Sequence, residues 1–311
     1  MSERSVNLRK FGSFLLRAAI TAGAIYYAFS QVDVHRLLPL LADMSVLPLM
    51  AAVLFLHLAQ YASALRMRFY LHCQGVDFGI RPALMLHYVG GLFNALLPGG
   101  AGGDVYKAWW LGRYTSGKLL HLVKLMIASR LNGMWTLGVL ICVLAALSPA
   151  LREAAPAALA QIGLTSPAIN PLTIAIATII AGTIGYHLLA RFILREPLAQ
   201  QYRAGVYSAV IQLSLFVCSW FLAVALHIDA ARLEYLLLFQ LSCILAMLPI
   251  SVGGIGVREI ALLYGTKLLA LSDQQGVALA FSFSVINLSV PLIGAIVYSL
   301  WKPQKREVVP V

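Results

Sequence analysis

The chain has 311 residues, 60% of them hydrophobic and 11% charged, with a formal net charge of +11 at pH 7 and a mean hydropathy of +0.84. A soluble domain of this size needs far more polar surface to cover itself, so composition excludes one. Ten-residue segments of alternating hydrophobicity are missing as well, which excludes an outer-membrane barrel.

What remains is an all-α polytopic membrane protein. Arg4, Arg9 and Lys10 precede an apolar stretch over 11–30. It lacks a small-x-small cleavage site and is read as an uncleaved first span. A second span is expected over 46–71, followed by Arg66, Arg68 and Arg81 at its end. Arg66 reads as an interfacial side chain snorkelling to the headgroups.

The next apolar region, 81–113, is interrupted by Leu97-Pro98-Gly99-Gly100-Ala101-Gly102-Gly103-Asp104. Each part is too short to cross comfortably, so the region is expected to enter the membrane, turn at the glycines and return. A span over 119–147 follows, then an Ala/Pro-rich connector over 154–163. Spans over 168–194 and 205–227 lead to a second broken region, 233–271. Its break reads Leu248-Pro249-Ile250-Ser251-Val252-Gly253-Gly254-Ile255. A last span is expected over 276–301.

Basic residues cluster in 1–10, 66–81, 113–124, 191–203 and 302–306. All fall on the cytoplasmic side if both broken regions are re-entrant. The two hairpins then open to opposite sides. This gives one membrane domain over 1–311 made of two inverted repeats, 1–150 with its hairpin at 81–113 and 164–311 with its hairpin at 233–271. Six full spans and two oppositely oriented re-entrant hairpins result, with both termini cytoplasmic. A constant shift of 151 supports the repeat, relating Pro98 to Pro249, Gly102 to Gly253, Gly103 to Gly254 and Lys107 to Arg258. Matching breaks in two hydrophobic halves point to a transporter binding site.

The chemistry at the breaks suits an anion. Glycine lets consecutive N–H groups converge, and the helix that resumes has unpaired N–H groups and a positive dipole end. Lys107 and Arg258 fall in the first turns of those helices, where a cation opposes the dipole and costs about 2.5–3.5 kcal/mol on insertion scales. They need anionic partners: Asp104, Glu259 or a lipid phosphate. Asp104 is equally suited to capping its helix. The candidate binding residues are Asn94, Gly102, Gly103, Asp104, Lys107 and Arg130 in the first half, with Gly253, Gly254, Gly256, Arg258 and Glu259 in the second. Asn94 also fits an interhelical hydrogen bond. His57, His87 and His187 read as helix-packing groups, with a proton relay as the alternative.

Cys73, Cys142, Cys218 and Cys243 form no CxxC pair, so neither a disulfide nor a metal site is expected. The segment 112–118 imitates a phosphate-binding loop, but Leu119 stands where Ser or Thr is required. No catalytic residues or cofactor are assigned, and an enzyme is not expected.

The segment from Asn94 through Lys107 and the segment from Pro249 through Glu259 resemble the paired signatures of the lysylphosphatidylglycerol synthase transmembrane region, or flippase-like domain. Segments around Arg66 and Arg130 resemble its weaker motifs. The resemblance covers nearly the whole chain. It implies translocation of an anionic or zwitterionic lipid across a bacterial inner membrane, with Asp104, Lys107, Arg130, Arg258 and Glu259 lining the cavity. The chain ends at Val311 without the soluble aminoacyl-transferase half of the bifunctional members, so the lipid need not be aminoacylated. A non-transporting subunit that recruits a lipid-modifying synthase or glycosyltransferase is the alternative. An intramembrane transferase is the third and weakest reading. Nucleic acid is not an expected partner, and a homo-oligomer is compatible with the sequence.

Overall fold

A computed structural model describes residues 22–23, 26–28, 30–31, 34–96, 102–114, 119–153, 170–194, 197–247, 251, 254–301 and 308–310. Most of the expected first span, the connector between the halves, the Leu-Pro starts of both breaks and Gly253 lie outside these residues.

The elements in order are α1 (Val34–Ala42), α2 (Val46–His72), β1 (Val76–Phe78), α3 (Ile80–Leu96), α4 (Gly102–Tyr114), α5 (Leu119–Leu147), α6 (Pro171–Leu189), α7 (Leu198–Ala225), α8 (Arg232–Ala246), α9 (Val257–Leu268), α10 (Asp273–Asn287), α11 (Ser289–Leu300) and β2 (Val308–Pro310). A π-helical turn, Ala190–Leu194, extends α6. Among the described residues, five helical stretches are long and apolar enough to cross a bilayer: Val46–His72, Leu122–Leu147, Leu172–Phe192, Leu198–Ala225 and Asp273–Leu300. The chain is a multi-pass membrane protein. Large apolar side chains such as Leu54, Ile180, Leu292 and Ile296 stand exposed around it, as a lipid-facing surface requires and a soluble one forbids.

Two features depart from the expected fold. The amphipathic α1 precedes α2, with Leu37 and Leu41 packed into a core formed mainly by residues of 215–283. A two-stranded antiparallel sheet also joins β1 to β2, pairing Val76 with Pro310 and Phe78 with Val308. It ties the chain's end to the loop after α2, so these two segments lie on one side of the bundle.

The two broken regions are each a pair of short helices packed side by side. In the first, Phe93 stacks on Tyr106 at 4.1 Å while Phe78, before α3, meets Trp110. Contacts thus move backward along α3 as they move forward along α4, and the pair is antiparallel. Its closest approach is Gly103 against Gly90, where a Cβ on Gly103 would lie 2.0 Å from the Gly90 carbonyl oxygen. In a bilayer, where lipid is as apolar as the helices, close packing of small residues holds helices together. In the second pair, Gly254 at φ +79° turns the chain against Ala246, and Gly265 packs on Leu238 further along. This pair is antiparallel too.

The halves interlock. Helix α2 packs along α7: the Ser45 N–H donates to Ala225 O, Phe55 stacks on Phe221, and Phe69 meets Tyr207. The order of these contacts makes α2 and α7 antiparallel. The first helix of each pair then packs on the closing helices of the other half. On one side α3 meets α11 through Gly91 and Val290; on the other, Leu237 of α8 joins Leu137, Ile141 and Leu144 of α5.

Candidate functional site

The first helix start is assembled from α3, α4 and α5. The opening N–H groups of α4 have no partners within the helix. Asn94 Oδ1, reaching from the end of α3, accepts the Gly103 N–H at 2.8 Å. Asp104 is the third residue of α4, where a carboxylate complements the helix dipole. Its Oδ2 accepts from Arg130 Nε at 2.6 Å, and its Oδ1 lies 3.6 Å from Lys107 Nζ. Of the two roles open to Asp104, the structure gives it that of charge partner. Lys107 Nζ also reaches His87 Nδ1 at 3.4 Å, while His87 Nε2 faces Gln60 Oε1 at 3.0 Å. An ammonium only donates and an amide oxygen only accepts, so this ring carries its proton on Nε2. Side-chain exposure rises from 8% at Lys107 through 20% at Asp104 to 42% at Arg130, so the group opens outward through Arg130.

Arg66 belongs to the same neighbourhood, contrary to the snorkelling expected of it. Its Nη1 donates to Ser208 Oγ on α7 at 2.6 Å. Ser208 Oγ donates to Asn132 Oδ1 on α5, and Asn132 Nδ2 donates to Tyr186 OH on α6 at 2.6 Å. Gly133 leaves room for the guanidinium, since a Cβ there would sit 3.3 Å from Nη1. The Arg66 Nε is buried and without a hydrogen-bond partner. Arg66 lies close enough to Lys107 and Asp104 to interact with their charges, and Arg130 with that of Lys107. Among the described residues, Lys107 and Arg130 contact Asp104, and Arg66 stands near them.

The second helix start is built differently. Gly256, at φ +86°, precedes α9, and its N–H donates to Glu259 Oε2 at 2.6 Å. Glu259 Oε1 accepts from Ser284 Oγ at 2.7 Å, and the same hydroxyl accepts from Arg258 Nη1 at 3.4 Å. The Arg258 guanidinium lies 4.7 Å over the Phe283 ring and 5.8 Å from that of Phe239, with its Nε buried and unpartnered. Arg258 is 6% exposed and Glu259 fully buried. One cation, one carboxylate and two aromatic faces make a sealed, neutral group.

The family model described as the lysylphosphatidylglycerol synthase TM region matches residues 14–295. The chain belongs to this family. No match was found among curated proteins.

Within this lysylphosphatidylglycerol synthase TM region the structure gathers Asn94, Gly102, Gly103, Asp104, Lys107 and Arg130 around the start of α4. It gathers Gly254, Gly256, Arg258 and Glu259 around the start of α9. The expected N–H cradle is altered at both places. The N–H groups of Gly103 and Gly256, expected to face a ligand, are taken by the side-chain oxygens of Asn94 and Glu259. A helix start buried in the family domain cannot leave donors unpaired, and the nearest side-chain acceptors fill them. The side-chain cations Lys107 and Arg130 stand beside the first of these capped starts. His57 bridges Tyr88 and Ser289, and His187 meets Gln201, as helix-packing histidines do. Sequence reasoning missed Arg66 and its chain of partners, although Arg66, Asn132 and Gly133 stand in the two weaker motifs.

Proposed function

We propose that the protein is a flippase or scramblase that moves a phosphate-bearing lipid between the leaflets of a bacterial inner membrane, with both termini cytoplasmic. The observation that carries this reading is the basic cluster at the first helix start: among the described residues Lys107 and Arg130 meet Asp104, and the buried Arg66, held by Ser208, has its Nε without a hydrogen-bond partner. Buried charges require partners, and an anionic headgroup entering beside Arg130 would supply them. A phospholipid, an aminoacyl-phospholipid or a polyprenyl-phosphate-linked lipid would serve equally, because the group recognised is the phosphate. The antiparallel run of α2 and α7, which are corresponding elements of the two halves, supports an inverted repeat. The packed helix pairs support re-entrant hairpins. Rocking of one repeat against the other would then present the headgroup to each side in turn. No bond is made or broken in this scheme.

The test is reconstitution into liposomes with phosphatidylglycerol labelled on one chain and quenched from outside. Wild-type protein is expected to expose the inner-leaflet label at least tenfold faster than protein-free liposomes. If folded protein accelerates the exchange of no anionic lipid, the reading fails. A second reading, a non-transporting subunit that positions a lipid-modifying enzyme, draws on the sealed group at Arg258 and Glu259, which has the character of a structural clamp. It predicts that a synthase or glycosyltransferase co-purifies and functions normally when Lys107 is replaced.

A further inference from the structure

The mechanism above uses a lipid's headgroup and leaves its chains unplaced. A groove of about 340 Å³ runs between α5 and α6, lined by Leu131, Met134, Val139, Ile179 and Leu189 among others, with Tyr186 on its wall. Two features separate it from the ordinary lipid-facing surface.

The first is what its glycines do. Gly90, Gly91, Gly103, Gly276 and Gly294 are all explained by close packing, since a Cβ at any of them would come within 3 Å of a neighbouring atom. Gly138 on α5, and Gly182 and Gly185 on α6, line the groove, and a Cβ at each would meet nothing within 4 Å. Glycine in a helix costs about 1 kcal/mol relative to alanine, and here no protein contact requires it. Its effect is to keep the space between the helices open.

The second is what the groove adjoins. It begins at Leu131, directly after the outermost cation, Arg130. At that end α6 is pinned to α5, with Trp135 stacked on Tyr186 at 4.9 Å and Trp135 Nε1 donating to Thr183 Oγ1 at 3.2 Å. The Tyr186 hydroxyl closes the polar chain through Asn132 and Ser208 to Arg66. The wall from Leu131 to Cys142 measures about 16 Å at 1.5 Å per residue, about half the roughly 30 Å hydrocarbon thickness. The groove is therefore one leaflet long, apolar throughout and headed by cations.

We propose that this groove holds one hydrocarbon chain of the lipid whose phosphate sits among Arg66, Lys107 and Arg130. The site takes a single acyl or prenyl chain, and it rests on the headgroup reading above. Helix α6 is a wall of the substrate site as well as a spanning segment, and chain length and branching are selected here.

The probe is a phosphatidylglycerol carrying a photoactivatable diazirine on one chain, reconstituted with full-length protein and mapped by mass spectrometry of the cross-linked peptides. Labelling at the groove-lining positions Leu131, Met134, Val139, Ile179 and Leu189 is expected to exceed labelling of the outward face of α6 at Ile176, Ile180 and Ile184 at least fivefold. It should fall to the outward-face level in Lys107→Ala with Arg130→Ala, and when the probe is a diacylglycerol, which has the chains but no phosphate. A Cβ at Gly182 or Gly185 meets nothing within 4 Å, so Gly182→Leu with Gly185→Leu extends side chains into the groove, and because it also raises helix propensity the variant should fold. It is expected to abolish groove labelling and slow flipping at least tenfold, whereas Gly182→Ala leaves both within twofold. Equal labelling of both faces, indifferent to the headgroup, would mean ordinary boundary lipid and overturn the proposal. So would protein–protein cross-links through the groove, which would mean a second copy. Headgroup-dependent labelling without flipping by wild-type protein would leave the chain site standing and remove the transport reading; flipping undiminished in the Gly182/Gly185 double variant would do the reverse.

Discussion

Replacing Lys107 with Met separates structural from ligand-binding roles at the first helix start. The Lys107 stem lies against Gly90, where an added Cβ would sit 2.3 Å from Lys107 Cε, and an unbranched Met follows the same path. Two contributions oppose each other. Removing a cation from membrane depth returns about 2.5–3.5 kcal/mol on insertion scales. Against this stand the lost ion pair to Asp104 at 3.6 Å and the long contact to His87 at 3.4 Å. A hydrogen bond to a charged group contributes about 1.5–3 kcal/mol at good geometry, and less at these distances. Asp104 is not orphaned, because Arg130 stays at 2.6 Å; that pair is more than a third exposed on the arginine side and is itself worth about 1 kcal/mol or less. The net change in stability is therefore expected within about 1 kcal/mol, while flipping of phosphatidylglycerol should fall at least tenfold. Thermal unfolding in detergent and the liposome assay measure the two separately. A variant that flips lipid at the wild-type rate, or one that unfolds at assay temperature because the lysine clamps α4 to α3, would refute the reasoning.

The second helix start should respond in the opposite way. Glu259→Gln removes the carboxylate that reaches the buried Arg258 through Ser284 and leaves that cation uncompensated, so thermal unfolding in detergent should show a loss of stability. Arg258→Met together with Glu259→Gln should recover much of that loss, because the charge pair is removed whole. Gly103→Ala should destabilise by about 1–3 kcal/mol through overpacking against the Gly90 carbonyl, and size-exclusion of the detergent-solubilised variant should show reduced recovery of monodisperse protein.

Depth in the membrane was legible in the sequence, whereas direction around each helix was not. Hydropathy places α2 and α5 within a residue at each end, and the shift of 151 pairs Lys107 with Arg258. In water a helix shows its buried face as an apolar stripe. In a bilayer lipid and neighbouring helices are equally apolar, so the stripe disappears. Arg66 illustrates the consequence. A basic residue near the end of a span reads the same whether it snorkels outward or turns inward, and only Ser208, 142 residues away, decides between them. The capping of Gly103 by Asn94 and the pairing of β1 with β2 were hidden because each depends on tertiary placement. Glu259 was recognised as a charge near the break, but its bond to the Gly256 N–H makes it a cap as well as a countercharge.

The unequal chemistry of the two starts bears on how an inverted repeat could work. Sequence symmetry sets Lys107 against Arg258, but the partners differ: a carboxylate three residues earlier in one half and one residue later in the other. Among the described residues the first group gathers three basic side chains and opens through Arg130, while the second holds Arg258 and is closed over by Phe239 and Phe283. If each repeat takes the other's conformation in turn, opening the second side must draw the guanidinium of Arg258 off its two rings and away from Ser284. A cation–π contact contributes about 0.5–2 kcal/mol, and the bridging hydroxyl adds a hydrogen bond of similar size. A latch of a few kcal/mol is enough to hold a two-state carrier mainly on one side, yet small enough for a bound headgroup to overcome through its preference for the other state.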